Sequence, residues 1–501
     1  MRRLAPFALP ALSALAMAAA LIEPRFALLG LAALVPFFWF LQLAKSRGAA
    51  FWGGWLYGAI LWGFLAQWIF DLLPLDWTGL TERSALIFIA FSWLFTALLL
   101  GLVSALLALL LAPLLRKSAP AAILGGTVLW VAVEFGSSWL STVIWMGAET
   151  TPYPITLGHV GYALANFPAL LQLASFGTIY LLSAAVFLTN ACLFVVLRGF
   201  AQEPRARLWQ RSAPAIALVL AVFAGTAFDA PLLRGFGTSA GARPLRIALV
   251  VSNAPSWSEM PSEAVPLLKQ NLSRLLEELG REELDLVVFP ESSRINNLIE
   301  PAELAAWFKN SNAVILDNAL RKNSAYPGSP FVSRLIAFRP RDGELIAYWD
   351  KSSLMMGGEY PPLILTVGAK LLGAEDVLRR LEKNAYRPGD GTEQPVRVGD
   401  HAISISLCTQ AWAPQFFARQ HRLGADILVN MSSDPLFHGS TLYAAERLAM
   451  LKVRAVENRS FLLHAANGNP SLVIGPEGTV RTIVPLPAPL TYSYRIVTLP
   501  D

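Results

Sequence analysis

Charge is scarce in this chain. Asp, Glu, Lys and Arg make up only 15% of its 501 residues while 54% are hydrophobic, against roughly a quarter charged in an ordinary soluble protein. A wholly soluble protein is thereby excluded. Cysteine is scarcer still: Cys192 sits within an apolar run and Cys408 lies far downstream, which excludes a disulfide framework. The histidines His159, His401, His421, His438 and His464 are scattered without zinc-motif spacing, so no metal is expected. No Gly-rich phosphate loop is present either. Gly357-Gly358 lacks a following Lys-Ser/Thr and reads as a turn, and no cofactor is implied. The formal charge of +5 is small for this length and concentrated between apolar runs, which argues against a nucleic-acid partner.

What the chain has in abundance is apolar length. A bilayer-spanning helix needs about 20 mainly apolar residues, and seven stretches qualify: 5–22, 26–44, 51–73, 85–113, 120–146, 168–197 and 213–230. Arg2/Arg3, Lys45/Arg47, Arg116/Lys117 and Arg198/Arg205/Arg207/Arg211 all fall on one side of this array, which the positive-inside rule makes cytoplasmic. Seven crossings then place the remainder of the chain outside. A signal peptide is the alternative for the first stretch, because Arg2/Arg3 precede an Ala-rich core. Glu134 stands inside the fifth stretch, where a carboxylate is costly; it either lines a lipid-headgroup cavity or makes a helix-packing hydrogen bond. The loop Thr150 to Pro154 is expected at the outer surface, beneath the second half.

A Gly/Ser-rich linker at 235–244 separates this membrane domain (1–234) from a domain at 245–501 with ordinary polar punctuation. There, apolar runs such as Leu245 to Val251, Leu284 to Phe289, Asn312 to Leu316 and Ala425 to Asn430 alternate with helical patterns at Leu267 to Leu279 and Thr441 to Glu457. Asp342-Gly343 marks a hairpin. The alternation predicts an α/β layered sheet with helices outside. Pro361 to Asp400 is irregular and reads as an inserted loop or lid.

Three polar residues end runs that should be buried: Glu291, Lys351 and Cys408. Open α/β sheets collect ligand sites at strand C-termini. A cysteine nucleophile needs a base for its proton and a donor for the oxyanion formed when it attacks a carbonyl. Taken alone, Cys408 reads sooner as an ordinary core cysteine than as a nucleophile. As a nucleophile at a strand tip before a helix N-terminus, its thiolate would be favoured.

Val287-Val288-Phe289-Pro290-Glu291, Asp350-Lys351 with Gly358-Glu359-Tyr360, and Ser406-Leu407-Cys408 resemble the Glu-Lys-Cys segments of the nitrilase superfamily. A multi-span half joined to such a domain resembles one branch of it, the bacterial apolipoprotein N-acyltransferases. Arg454 to Arg459, Ala466-Asn467-Gly468, Gly475-Pro476-Glu477-Gly478 and, in the membrane half, Glu134, Trp145-Met146-Gly147 and Gln172 to Gly177 extend the resemblance along nearly the whole chain. It implies a helical membrane domain of about seven helices joined to an α-β-β-α sandwich. It further implies Glu291 as base, Lys351 as oxyanion donor, Cys408 as the acylated nucleophile and Glu359 as a supporting carboxylate. The partners implied are a phospholipid donor, a lipoprotein acceptor and the bacterial inner membrane, with the catalytic domain periplasmic and a single copy sufficient. Thr409-Gln410 stand where the family carries Tyr and Glu after the nucleophile, and the loop Ser432 to His438 lacks the family's tryptophan. No apolar span follows the last strand, so the second domain is expected to be tethered at one end. These departures read as a divergent member, its acceptor open to change; a membrane-tethered amidase, or an acyltransferase for another amine, and a silent lipid-binding homologue are the alternatives.

Overall fold

The computed structural model describes residues 7–75, 80–146, 153–202, 217, 243–257, 259–322, 331–355, 359–363, 366–367, 370, 373, 378–379 and 385–499. The first half is helical: α1 (Ala8–Ile22), α2 (Val35–Leu43), α3 (Arg47–Leu65), α4 (Glu82–Lys117), α5 (Gly126–Ser141), α6 (Pro168–Leu171) and α7 (Ala174–Gln202). With their short 3-10 and π extensions, five helical segments are long and apolar enough to cross a membrane: Pro24–Leu43, Arg47–Leu72, Glu82–Lys117, Ala121–Trp145 and Ala174–Phe200. The chain is a membrane protein. α1 is a sixth, shorter apolar helix. The seventh expected span and nearly all of the linker lie outside the described residues.

Small residues let α3 and α4 approach closely, as membrane helices do without a hydrophobic force between them. A Cβ on Gly54 would stand 2.4 Å from the Ala108 Cβ, and one on Gly58 would stand 2.8 Å from the Gly101 Cα. The stretch expected as one span over 168–197 is broken. α6 ends before Gln172, and α7 is non-helical at Gly177 and Thr178. The second half meets the break: the Glu457 carboxylate accepts from the Ile179 N–H (2.9 Å), and the Gln172 side-chain amide donates to the Glu477 carbonyl (3.0 Å).

The second half is one twelve-stranded sheet folded over on itself. Its strands are β1 (Leu245–Ser252), β2 (Leu286–Val288), β3 (Val314–Lys322), β4 (Phe331–Arg339), β5 (Glu344–Asp350), β6 (Val396–Val398), β7 (His401–Leu407), β8 (Ile427–Ser433), β9 (Phe461–Asn467), β10 (Ser471–Ile474), β11 (Val480–Val484) and β12 (Tyr492–Leu499). The order runs β5-β4-β3-β2-β1-β9-β8-β7-β6, with β12 antiparallel along the whole of β1. β1 and β9 meet only at Ser252 and Asn467, and there the sheet turns over. Alternate residues face inward, so Ile247, Leu249, Val288 and Leu316 of one leaf pack on Ile405, Val429, Met431 and Leu463 of the other. The outer faces take helices. α8 (Val265–Leu279) covers Ala248 and Val250, while α11 (Pro414–Arg422) and α12 (Thr441–Asn458) cover Leu428 and Leu462; α9 (Ile295–Leu298) and α10 (Pro301–Trp307) lie between β2 and β3. This is the expected α-β-β-α layering.

The halves share one apolar core. Trp412, Phe437, Tyr443 and Met450 are buried with Trp68, Leu164 and Leu171 of the membrane half. At its centre is Arg454 on α12, fully buried. Its guanidinium donates to the Ala411 carbonyl (3.1 Å), Thr156 Oγ1 (3.0 Å) and Tyr162 OH (2.8 Å), and pairs with Glu457. Residues 150–152 of the expected outer loop lie outside the described residues; Tyr153 just after them packs on the second half.

Candidate active site

The site forms where the two leaves present strand C-termini. Glu291 follows β2 through Phe289-Pro290, Lys351 directly follows β5, and Cys408 directly follows β7. Each is held by its strand's backbone ladder; the Lys351 N–H, for example, donates to the Ser333 carbonyl of β4 at 2.8 Å. All three side chains are buried. Lys351 Nζ donates to Glu291 Oε1 and to Glu359 Oε1, both at 3.0 Å. The second oxygen of Glu359 accepts the Met355 N–H at 2.6 Å, which fixes that carboxylate.

Two carboxylates around one ammonium leave the cluster short of positive charge. Burial pushes Glu291 up to about 7 even against Lys351, and Glu359 adds to the rise. Burial opposes the Lys351 charge, yet Glu291 and Glu359 outweigh it and hold the ammonium firmly protonated. Burial and then the Glu291 charge push the Cys408 thiol up to about 12, with Lys351 opposing. The expected thiolate is therefore corrected. Cys408 opens a 3-10 turn (Cys408–Trp412), not an α-helix, and desolvation exceeds whatever field that turn supplies. The thiol keeps its proton until a base takes it.

Cys408 has φ +43, a left-handed conformation that disfavours a side chain and costs on the order of 1–3 kcal/mol. Three contacts hold it. Asn430 Nδ2 donates to the Cys408 carbonyl (3.3 Å), the Thr409 hydroxyl donates to the Ser353 carbonyl (3.2 Å), and Gln410 accepts from the Leu407 N–H (2.8 Å). The Gln410 amide also donates to Ser352 Oγ and Glu393 Oε1, both at 3.0 Å. Thus Thr409 and Gln410 clamp the nucleophile's turn, and a carboxylate is still present one shell out, on Glu393.

Glu134 is not at this site. Its Oε1 accepts from Trp130 Nε1 and the Val160 N–H, both at 3.1 Å, which is the geometry of helix packing. Sequence reasoning missed a polar group behind the thiol. Asp434 pairs with Arg447, whose guanidinium also donates to Ser432 Oγ at 3.1 Å. The Tyr443 hydroxyl adjoins the sulfur. Arg447, Tyr443 and Glu446 share α12 with Arg454, and a run of charges on an amphipathic helix reads as a solvated face. Burial pushes Glu446 well above the ordinary carboxylate range. Among the described residues no group of three or more His, Cys, Asp or Glu could hold a metal ion.

Comparison with known proteins divides at the same boundary as the fold. Residues 13–192 match the model of the apolipoprotein N-acyltransferase N-terminal domain, and residues 252–485 match that of carbon-nitrogen hydrolase. The two matches together resemble the make-up of the apolipoprotein N-acyltransferase family. A member from Geobacter metallireducens is 27% identical over 72% of this chain and 65% of its own length. Another from Azotobacter vinelandii is 28% identical over 87% of this chain and 79% of its own. The chain thus spans just under two thirds of the Geobacter relative. Among solved structures, an amidase from Nesterenkonia sp. AN1 aligns with 53% of this chain and 94% of its own at 18% identity and TM-score 0.34.

Proposed function

We propose that this protein is an N-acyltransferase that moves an acyl chain from a phospholipid, through a thioester on Cys408, to the N-terminal amine of diacylglyceryl-cysteine in apolipoproteins. Glu291, near neutrality, takes the Cys408 proton as sulfur attacks the ester carbonyl. Lys351 holds the oxyanion. The tetrahedral adduct collapses, the C–O bond breaks, and lysophospholipid leaves with the proton from Glu291. In the second half the amine attacks the thioester, Glu291 takes its proton, and the C–S bond breaks as sulfur recovers a proton. Glu359 keeps Lys351 aimed. The catalytic half works on the periplasmic side of the inner membrane, as the placement of the basic loops supports.

The observation that carries this reading is the buried Glu291–Lys351–Glu359 chain around a protonated thiol, docked onto a membrane domain through a shared core. A dry site favours amine over water as acceptor. Incubating the full-length protein with phospholipid and measuring the intact mass tests it. An acyl adduct on Cys408 that an amine-bearing lipopeptide discharges is expected. Lack of the adduct in the native protein, or full acylation of the lipopeptide by Cys408→Ala, would overturn it.

A further inference from the structure

Beside the Glu291 loop the surface opens into a second cleft, of about 380 Å³. It lies at the same end of the sheet as Glu291, Lys351 and Cys408. Trp257 follows β1, Arg294 stands three residues after Glu291, and Arg321 is near the end of β3. Arg294, Arg321, Lys322 and Asn297 supply its polar lining, Trp257 and Leu320 apolar walls, and no carboxylate lines it among the described residues.

Arg294 is held in place. Its backbone is left-handed (φ +53), as is that of Ser292 (φ +67), so the loop after Glu291 is strained at two non-glycine positions. Its guanidinium lies over the Trp257 ring at 4.4 Å, and the Trp257 indole N–H donates to the Ser292 carbonyl at 2.7 Å. The Arg294 Nε is buried and has no hydrogen-bond partner among the described residues. Asp317, whose charge acts on both Arg294 and Arg321, has its Oδ2 engaged by the Asn296 backbone and side-chain N–H groups, each at 3.3 Å, while its Oδ1 is buried without a partner among the described residues. Arg321 donates to Asn297 Oδ1 at 3.4 Å, too long an anchor to saturate a five-donor guanidinium. Burial and then the Glu359 charge push the nearby Tyr386 hydroxyl up to about 12, with Arg294 and Lys351 opposing.

A fixed arginine with a free N–H, a second arginine and a lysine beside a stacking surface form an anion site of phosphate type. The cleft falls in the size range of small-ligand sites. We propose that it takes the phosphate ester of the acyl donor's headgroup, with Arg294 and Arg321 as its partners, and so holds the donor's ester toward Cys408. This rests on phospholipid being the donor.

The test uses full-length protein in detergent and follows the acyl adduct on Cys408 with phosphatidylglycerol and with diacylglycerol of the same chains, which lacks the phosphate. Arg294→Gln and Arg321→Gln are each expected to raise KM for phosphatidylglycerol about ten-fold, the loss of one charge-assisted contact, while kcat stays within about two-fold. Diacylglycerol kinetics should not change, and Arg294→Lys should recover part of the loss. Equal losses with both donors would mean a structural role and overturn the proposal. So would an unchanged KM for phosphatidylglycerol. Inhibition by inorganic phosphate that the variants lose while donor KM stays put would overturn the headgroup assignment in favour of a site for free anion. Wild-type protein that takes no acyl group from either donor would overturn the thioester reading itself.

Discussion

Two of the buried ionic clusters in the catalytic half differ in how completely their charges are met. Around Arg454 the guanidinium has four partners and Glu457 has two, so the ions and the backbone groups they touch are satisfied. Around Lys351 one ammonium faces Glu291 and Glu359, and the result is a carboxyl near 7 beside a thiol near 12. The first cluster fixes one arrangement of the two halves. The second leaves a proton free to move, which suits acid–base work. Burial alone therefore does not distinguish structure from chemistry; incomplete compensation does.

The contrast can be broken most severely at the unsatisfied cluster. Glu291→Gln keeps the shape and removes the base, and single-turnover acylation of Cys408 should slow by about 10³-fold; a loss below ten-fold would remove Glu291 from the role. At the satisfied cluster, Arg454→Met should leave acid–base chemistry alone and instead lower stability by roughly 3–5 kcal/mol, because Glu457 is stranded. Thermal unfolding in detergent measures this, and Arg454→Met/Glu457→Met should recover most of it. A single variant as stable as the native protein would contradict the docking role.

A pH profile sharpens the comparison further. A carboxyl raised to about 7 becomes a base only as pH climbs through that value, so the acylation rate should increase tenfold per unit below pH 7 and flatten above it. A profile flat from pH 5 to 8 would show Glu291 already ionised. The smallest effect is expected from Gln410→Glu, which installs the family's carboxylate. It would set two acids against each other at the 3.0 Å contact with Glu393 and cost about 1–3 kcal/mol, and Glu393→Gln should relieve it.

Glu291 and Cys408 were candidates from sequence because each follows a buried strand, and a polar group at such a point needs a reason; the run before Lys351, expected to be buried, is a half-exposed edge strand. The layering was open to the same argument, since the alternation in β1 assigns Ile247 and Leu249 to one face and Ala248 and Val250 to the other. Arg454, Arg447 and Tyr443 were hidden for the converse reason. An amphipathic helix looks identical whether its polar face meets water or a second domain, and only tertiary structure tells them apart. The break in α7 was hidden too, because the Ile179 N–H it frees is satisfied by Glu457, 278 positions downstream.

The protonated state of Cys408 carries a consequence for survival as well as for catalysis. It is the anionic sulfur that attacks peroxides and disulfides, so a side chain that retains its hydrogen reacts slowly with either. By withholding ionisation until a base acts, the fold shields its own reactive atom.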